Sequence, residues 1–229
     1  MKRAFPILAV LILAFLGYAA YEALVVAPTE QTMGNAQRIF YYHVPSAWTA
    51  FLLFLINFVA SIVYLIRRNP AADMIALVSA EVGVVFCTVV LVTGPLWARP
   101  VWGIWWTWDV RLTSTLVLWL IYLSYLMLRR FSTSGQTPVL AAALAIFGAL
   151  DVPLVYFSIR IFRTQHPQPV IGGGGSIDPR MLHVLLINWA AFLGLATLFC
   201  WARYRLEYMR REIEETQALE ALLEPRGSR

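Results

Sequence analysis

"DMIALVSAEVGVVFCTVVLVTG", residues 73 to 94, is apolar almost from end to end, with Asp73 and Glu81 its only charges. A helix that crosses a bilayer needs about 20 such residues. The stretch shows no strict alternation of polar and apolar positions, so it reads as a helix and not as a barrel strand. Five further runs have the same character, at about 4–26, 46–66, 112–128, 138–160 and 182–203. The expected fold is an all-α integral membrane protein with six transmembrane helices. Composition agrees: 60% of the 229 residues are hydrophobic and 14% charged, against about a quarter charged in soluble domains.

The charges are placed where a membrane protein needs them. Seventeen of the eighteen basic residues are arginine, and the net charge is +5. Lys2-Arg3, Arg67-Arg68, Arg129-Arg130 and the group Arg203, Arg205, Arg210 and Arg211 all border apolar runs. That distribution is a topology signal and not a nucleic-acid patch. It predicts cytoplasmic termini and puts residues 27–45, 95–111 and 161–181 on the outer side. Residues 4–20, with "KR" before and "YAA" near the end, have some features of a cleaved signal, but the core is long and a retained first helix is expected. The chain is thus divided into a six-helix membrane domain, 1–203, and a charged cytoplasmic tail, 204–229, in which "EYMRREIEETQALEALL" predicts a helix.

Several chemistries are excluded by their missing motifs. There is no GxxxxGK[ST] phosphate loop, no HExxH and no nucleophile elbow. Cys87 and Cys200 lie inside apolar runs without a CxxC, which fits two small buried hydrophobes better than redox or covalent haem chemistry.

The unusual residues gather on the outer side. The loop 95–111 carries Trp97, Trp102, Trp105, Trp106 and Trp108, followed by Asp109 and Arg111. A belt of interfacial tryptophans is spread over many helix ends, as Trp48, Trp119, Trp189 and Trp201 are expected to be, whereas this loop concentrates five. Read as a short interfacial helix, it places Trp102, Trp105, Trp106 and Asp109 on one face about 100° wide, with Trp108 turned aside. Such a face suits a flat, apolar, electron-rich ligand. Haem fits: it is planar, its iron accepts imidazole, and its propionates suit arginine.

His43, in "IFYYHVPSAW", and His166, in "RTQHPQP", are the candidate axial ligands, with Arg111, Arg99 and Arg38 as candidate grips on the propionates. His183, Arg163 and Asp178 lie on the same side without an assigned role. Asp109 reads equally as a helix cap or as part of the site. Glu81 and Asp151 are intramembrane acids with no partner evident in the sequence, and packing or contact with another subunit is the expected role.

These residues resemble a known family. "WGIWWTWD", residues 102–109, is similar to the WGxxWxWD signature of the tryptophan-rich haem-handling proteins. The flanking "TGPLWARPVWG", "WDVRLTS", "YYHVPSAW" and "SIDP" resemble one branch of that group, the haem exporter protein C family of cytochrome c maturation. The larger haem lyases of the same group need many more spans. The resemblance implies transient, non-covalent binding of haem b at the outer, periplasmic face of the bacterial inner membrane. It implies presentation of that haem to a membrane-tethered haem chaperone, with His43 and His166 flanking the site. It also implies a complex with an ABC-type ATPase, its partner membrane subunit and a small single-span subunit, with ATP hydrolysis outside this chain. A cytochrome b-type electron-transfer subunit is the alternative. It would carry histidine pairs within the bilayer, whereas here they lie at helix ends.

Overall fold

The computed structural model describes residues 4–162, 164–169 and 177–223. Lys2, Arg3, Arg163 and most of the glycine-rich stretch before Asp178 lie outside the described residues. Seven α-helices follow in order: α1 (Ala4–Tyr21), α2 (Phe40–Arg67), α3 (Pro70–Trp102), α4 (Val110–Phe131), α5 (Thr137–Ala149), α6 (Asp151–Ile161) and α7 (Pro179–Leu223). A π-helical turn, Glu22–Val26, extends α1, and a 3₁₀ turn, Asn35–Ile39, leads into α2. The fifth span is made jointly by α5 and α6, so six helical segments are long and apolar enough to cross a membrane. This is the all-α membrane fold that the hydropathy predicts.

The helix boundaries carry the local chemistry. Asn69 caps α3 by accepting from the Ala71 N–H at 2.9 Å, with Pro70 in the first turn where its missing N–H costs nothing. The break between α5 and α6 at Leu150 precedes Pro153, which cannot donate to the carbonyl four residues back. α2 starts several residues earlier than the apolar run suggests. The 3₁₀ turn prepares its first turn, and Pro45 is accommodated inside the helix. His43 therefore sits in the first turn of α2 rather than in the loop before it. The tail predicted as a helix is continuous with the last span: α7 runs unbroken from Pro179 to Leu223.

The core lies where α2, α3, α4 and α5 meet. Phe54 and Tyr122 stack at 3.8 Å between centroids with their planes 12° apart, and Tyr125 and Leu118 are buried beside them. Such ring pairs contribute about 1 kcal/mol beyond the area they bury. Gly83 lets α2 and α3 approach: a Cβ there would lie 2.7 Å from Phe54 Cε1. Side-chain amides join the helices further. Asn57 donates to the Ala76 carbonyl at 2.7 Å, and Asn188 donates to the Ala19 carbonyl at 3.2 Å. Each such bond contributes about 0.6 kcal/mol within a bilayer.

Trp119 on α4 donates to Thr88 Oγ1 on α3 at 2.8 Å, and Trp48 packs edge-to-face on Trp189 at 5.1 Å. These tryptophans tie helices together in addition to whatever they contribute at an interface. Cys87 is buried, Cys200 is half-buried, and both are free thiols.

Candidate functional site

The tryptophan segment is not the short helix that its periodicity suggests. α3 continues through Pro95 and Pro100 to Trp102 and ends at Gly103, whose φ of 79° is a left-handed cap open to glycine at little cost. The chain then bends through Ile104 and Trp105 and stays non-helical to Asp109. Asp109 caps α4: its carboxylate accepts from the Leu112 N–H at 3.0 Å, and Thr107 Oγ1 approaches it at 3.4 Å. A helix cannot run through both a left-handed glycine and an N-cap. The expected single face of Trp102, Trp105, Trp106 and Asp109 is therefore replaced by two edge-to-face pairs. Trp97 meets Trp102 at 5.1 Å, and Trp106 meets Trp108 at 5.7 Å. Trp108, which the helical wheel turned aside, is a partner of Trp106. Trp105 and Trp108 are 56% and 76% exposed, a large amount of open aromatic surface in one loop. The indole Nε1 of Trp106 is buried with no hydrogen-bond partner among the described residues.

The two histidines share a chemical feature. His43 Nδ1 lies 2.9 Å from Thr93 Oγ1 on α3. His166 Nδ1 lies 2.9 Å from the carbonyl oxygen of Pro167. A carbonyl only accepts, so His166 carries its proton on Nδ1 and leaves the Nε2 lone pair free. An imidazole held in this way is arranged as a metal-binding imidazole is. The Arg111 charge is felt at His166. Burial against the protein, followed by the Arg111 charge, holds the His166 pKa down to about 4, so the ring is neutral at physiological pH.

The three candidate arginines bond to backbone carbonyls. Arg111 Nη1 donates to Val155 O on α6 at 3.3 Å. Arg38 Nη1 donates to Ala23 O, within the π-turn, at 2.8 Å, and its other nitrogens approach Thr29 and Asn35. Arg99 Nη1 donates to the carbonyl of Gly103, the residue that ends α3. Among the described residues none of these three forms an ion pair with a carboxylate within 4 Å. Asp178 pairs instead with Arg180 at 2.9 Å on the exposed surface, and that guanidinium holds the Asp178 carboxyl below the usual carboxylate range.

The intramembrane acids are explained in part. Glu81 pairs with Arg203 of α7 at 2.6 Å. Asp151 opens α6, and its Oδ2 is buried without a hydrogen-bond partner among the described residues.

A profile of the Heme exporter protein C family matches residues 1–219. The chain belongs to the Heme exporter protein C family. Heme exporter protein C of Bradyrhizobium diazoefficiens is 35% identical over 96% of this chain and 84% of its own length. The protein of the same name from Escherichia coli is 33% identical over 78% of this chain and 73% of its own. A ccmC-like mitochondrial protein of Marchantia polymorpha, named for cytochrome c biosynthesis, is 34% identical over 79% of this chain and 78% of its own. Thr93 opens the family-like stretch TGPLWARPVWG, and helix packing brings its hydroxyl to His43.

Proposed function

We propose that this chain binds haem b non-covalently at the tryptophan end of the helix bundle, as cargo and not as a permanent cofactor. That end faces the periplasm in a bacterial inner membrane, both termini are cytoplasmic, and the haem is presented to a membrane-tethered haem chaperone for cytochrome c maturation. What supports this reading most is the pair of histidines held by Nδ1, His43 on Thr93 Oγ1 and His166 on the Pro167 carbonyl, in a chain whose tryptophan segment leaves Trp105 and Trp108 open. The two imidazoles supply neutral nitrogen donors for iron. Arg111 supplies a guanidinium that has no carboxylate partner within 4 Å among the described residues, suited to a propionate. Trp97, Trp102, Trp105, Trp106 and Trp108 supply aromatic area for a macrocycle. Asp109 acts by fixing where α4 begins, and so where Arg111 stands.

The chain's role is binding and delivery; hydrolysis of ATP falls to an ABC-type ATPase that works with a partner membrane subunit and a small single-span subunit. The membrane domain 1–203 carries the site, and the tail from 204 projects into the cytoplasm.

The test is the absorption spectrum of the purified chain, with and without added haem and reductant, for wild type and for the His43→Ala, His166→Ala double variant. Wild type is expected to take up haem with a ligand-field spectrum that the double variant lacks. Haem delivery to the chaperone that survives the double substitution overturns the ligand assignment. Rapid, reversible electron exchange with quinol would favour an electron-transfer subunit instead.

A further inference from the structure

Thr93 stands on α3 against the first turn of α2, two helical turns before Pro100. Its hydroxyl has a single proton. Oγ1 lies 2.6 Å from the Val89 carbonyl oxygen, four residues back, and 3.5 Å from the Val90 carbonyl oxygen. The 2.6 Å contact has the length of a good O–H···O bond, so the proton points at Val89. The hydroxyl is then left with lone pairs alone for its third neighbour, His43 Nδ1 at 2.9 Å. That nitrogen must be the donor, and the proton of a neutral His43 therefore sits on Nδ1.

Gly94, the next residue on α3, faces the same ring: a Cβ built there would meet His43 Cε1 at 3.5 Å, an ordinary van der Waals contact. Thr93 fixes the proton, and the neighbouring α3 surface borders the ring.

We propose that Thr93 is a positioning residue for the cargo site, setting His43 in the tautomer that leaves Nε2 free to bind iron. The assignment rests on the reading of His43 as a haem ligand. His166 gains the same tautomer from a main-chain carbonyl, Pro167 O, which no side-chain substitution removes. The two ligands therefore reach one state by different means, and only one depends on a replaceable group. Loss of the Thr93 hydroxyl is expected to weaken one side of the site and leave the other intact. Outer partners of metal-bound histidines typically govern about tenfold to a hundredfold in affinity.

The experiment compares wild type, Thr93→Val, Thr93→Ser and His43→Ala in the full chain, purified in lipid nanodiscs. Two readouts are used: titration with free haem followed in the Soret band, and ¹⁵N chemical shifts of labelled histidine in the haem-free protein. Thr93→Val is expected to weaken haem binding about tenfold or more and to move the ferric spectrum toward that of His43→Ala. It is also expected to lose the Nδ1–H signature of His43, while Thr93→Ser restores both. If Thr93→Val does not fold, Thr93→Ala takes its place with the same readouts. Unchanged affinity and tautomer in Thr93→Val, alongside haem loss in His43→Ala, overturns the role of Thr93 alone. Undiminished haem binding in His43→Ala overturns the ligand reading and this inference with it.

Discussion

The two ends of the bundle handle charge in opposite ways. At the tail end, Asp73 accepts from both terminal nitrogens of Arg129, at 2.6 and 2.8 Å, and from Arg211 at 2.8 Å. Arg211 also meets Glu207 at 2.9 Å, Glu207 meets Arg203 at 3.2 Å, and Arg203 meets Glu81 at 2.6 Å. With Arg210, which meets Glu207 at 3.8 Å and Glu214 at 2.8 Å, these acids and arginines form one network that binds α3, α4 and α7. At the tryptophan end, Arg38, Arg99 and Arg111 donate to carbonyls, and their charge is not cancelled by an ion pair among the described residues. The first arrangement holds helices together. The second leaves cations and neutral imidazole nitrogens available to something outside the chain.

The comparison is broken most severely by removing Asp73. Its side chain is 5% exposed and that of Arg129 10%, and Asp73→Ala would strip Arg129 of this carboxylate and leave half-buried Arg211 with Glu207. Unpairing a buried ion pair costs about 3–5 kcal/mol. Reversible unfolding in mixed micelles should show a loss of that order, with the haem spectrum of the surviving folded fraction unchanged.

Removing His43 and His166 together is expected to do the converse: haem affinity falls by about a hundredfold, on the scale of lost metal ligation. Stability should fall by no more than about 2 kcal/mol, since each of the two replacements removes one hydrogen bond of about 1 kcal/mol. A large stability loss would mean that the tryptophan end is structural like the tail end.

Arg111→Gln should weaken haem binding by about tenfold, corresponding to a charge-assisted bond of about 1.5 kcal/mol. Mesohaem dimethyl ester, which lacks free carboxylates, should bind wild type and Arg111→Gln alike. A penalty that persists with the ester would assign Arg111 to packing on α6.

Near neutral pH, the smallest effect is expected from mild acidification. The folded chain holds His166 at about 4, below the ordinary imidazole value of about 6.5. Below pH of about 6.5 the unfolded chain takes up a proton that the folded chain refuses, so stability falls between about 6.5 and 4 as pH drops. Haem retention should be level from about pH 8 to about 5 and decline only on approach to 4. A decline centred near 6.5 would mean that His166 is solvated like a free imidazole.

Hydropathy alone made the six spans legible, because a bilayer demands length and apolarity and little else. Arginine pairs marked the helix ends for the same reason. The ion-pair network was not legible: Glu81 and Arg203 are separated by 122 positions, and nothing local in either predicts the other.

At the tryptophan segment the residue types were readable but their arrangement was misread. Periodicity favoured a helix, yet the stop and start signals were present in Gly103 and Asp109. Weighting those two over the spacing of the indoles would have predicted the non-helical connection. Thr93 illustrates the remaining limit: it stands in the family-like TGPLWARPVWG, yet its partner His43, 50 positions away, is visible only once α2 packs on α3.

Gly103 and Asp109 have one more consequence. They act as fixed posts, and the five residues slung between them, Ile104 to Trp108, have a set length of chain. Six peptide steps reach at most about 20 Å, so the exposed indoles of Trp105 and Trp108 cannot wander far from the ends of α3 and α4. What the segment specifies is thus a span as well as a composition. Adding or deleting one residue there would displace the rings relative to His43 and Arg111 while leaving every tryptophan in place.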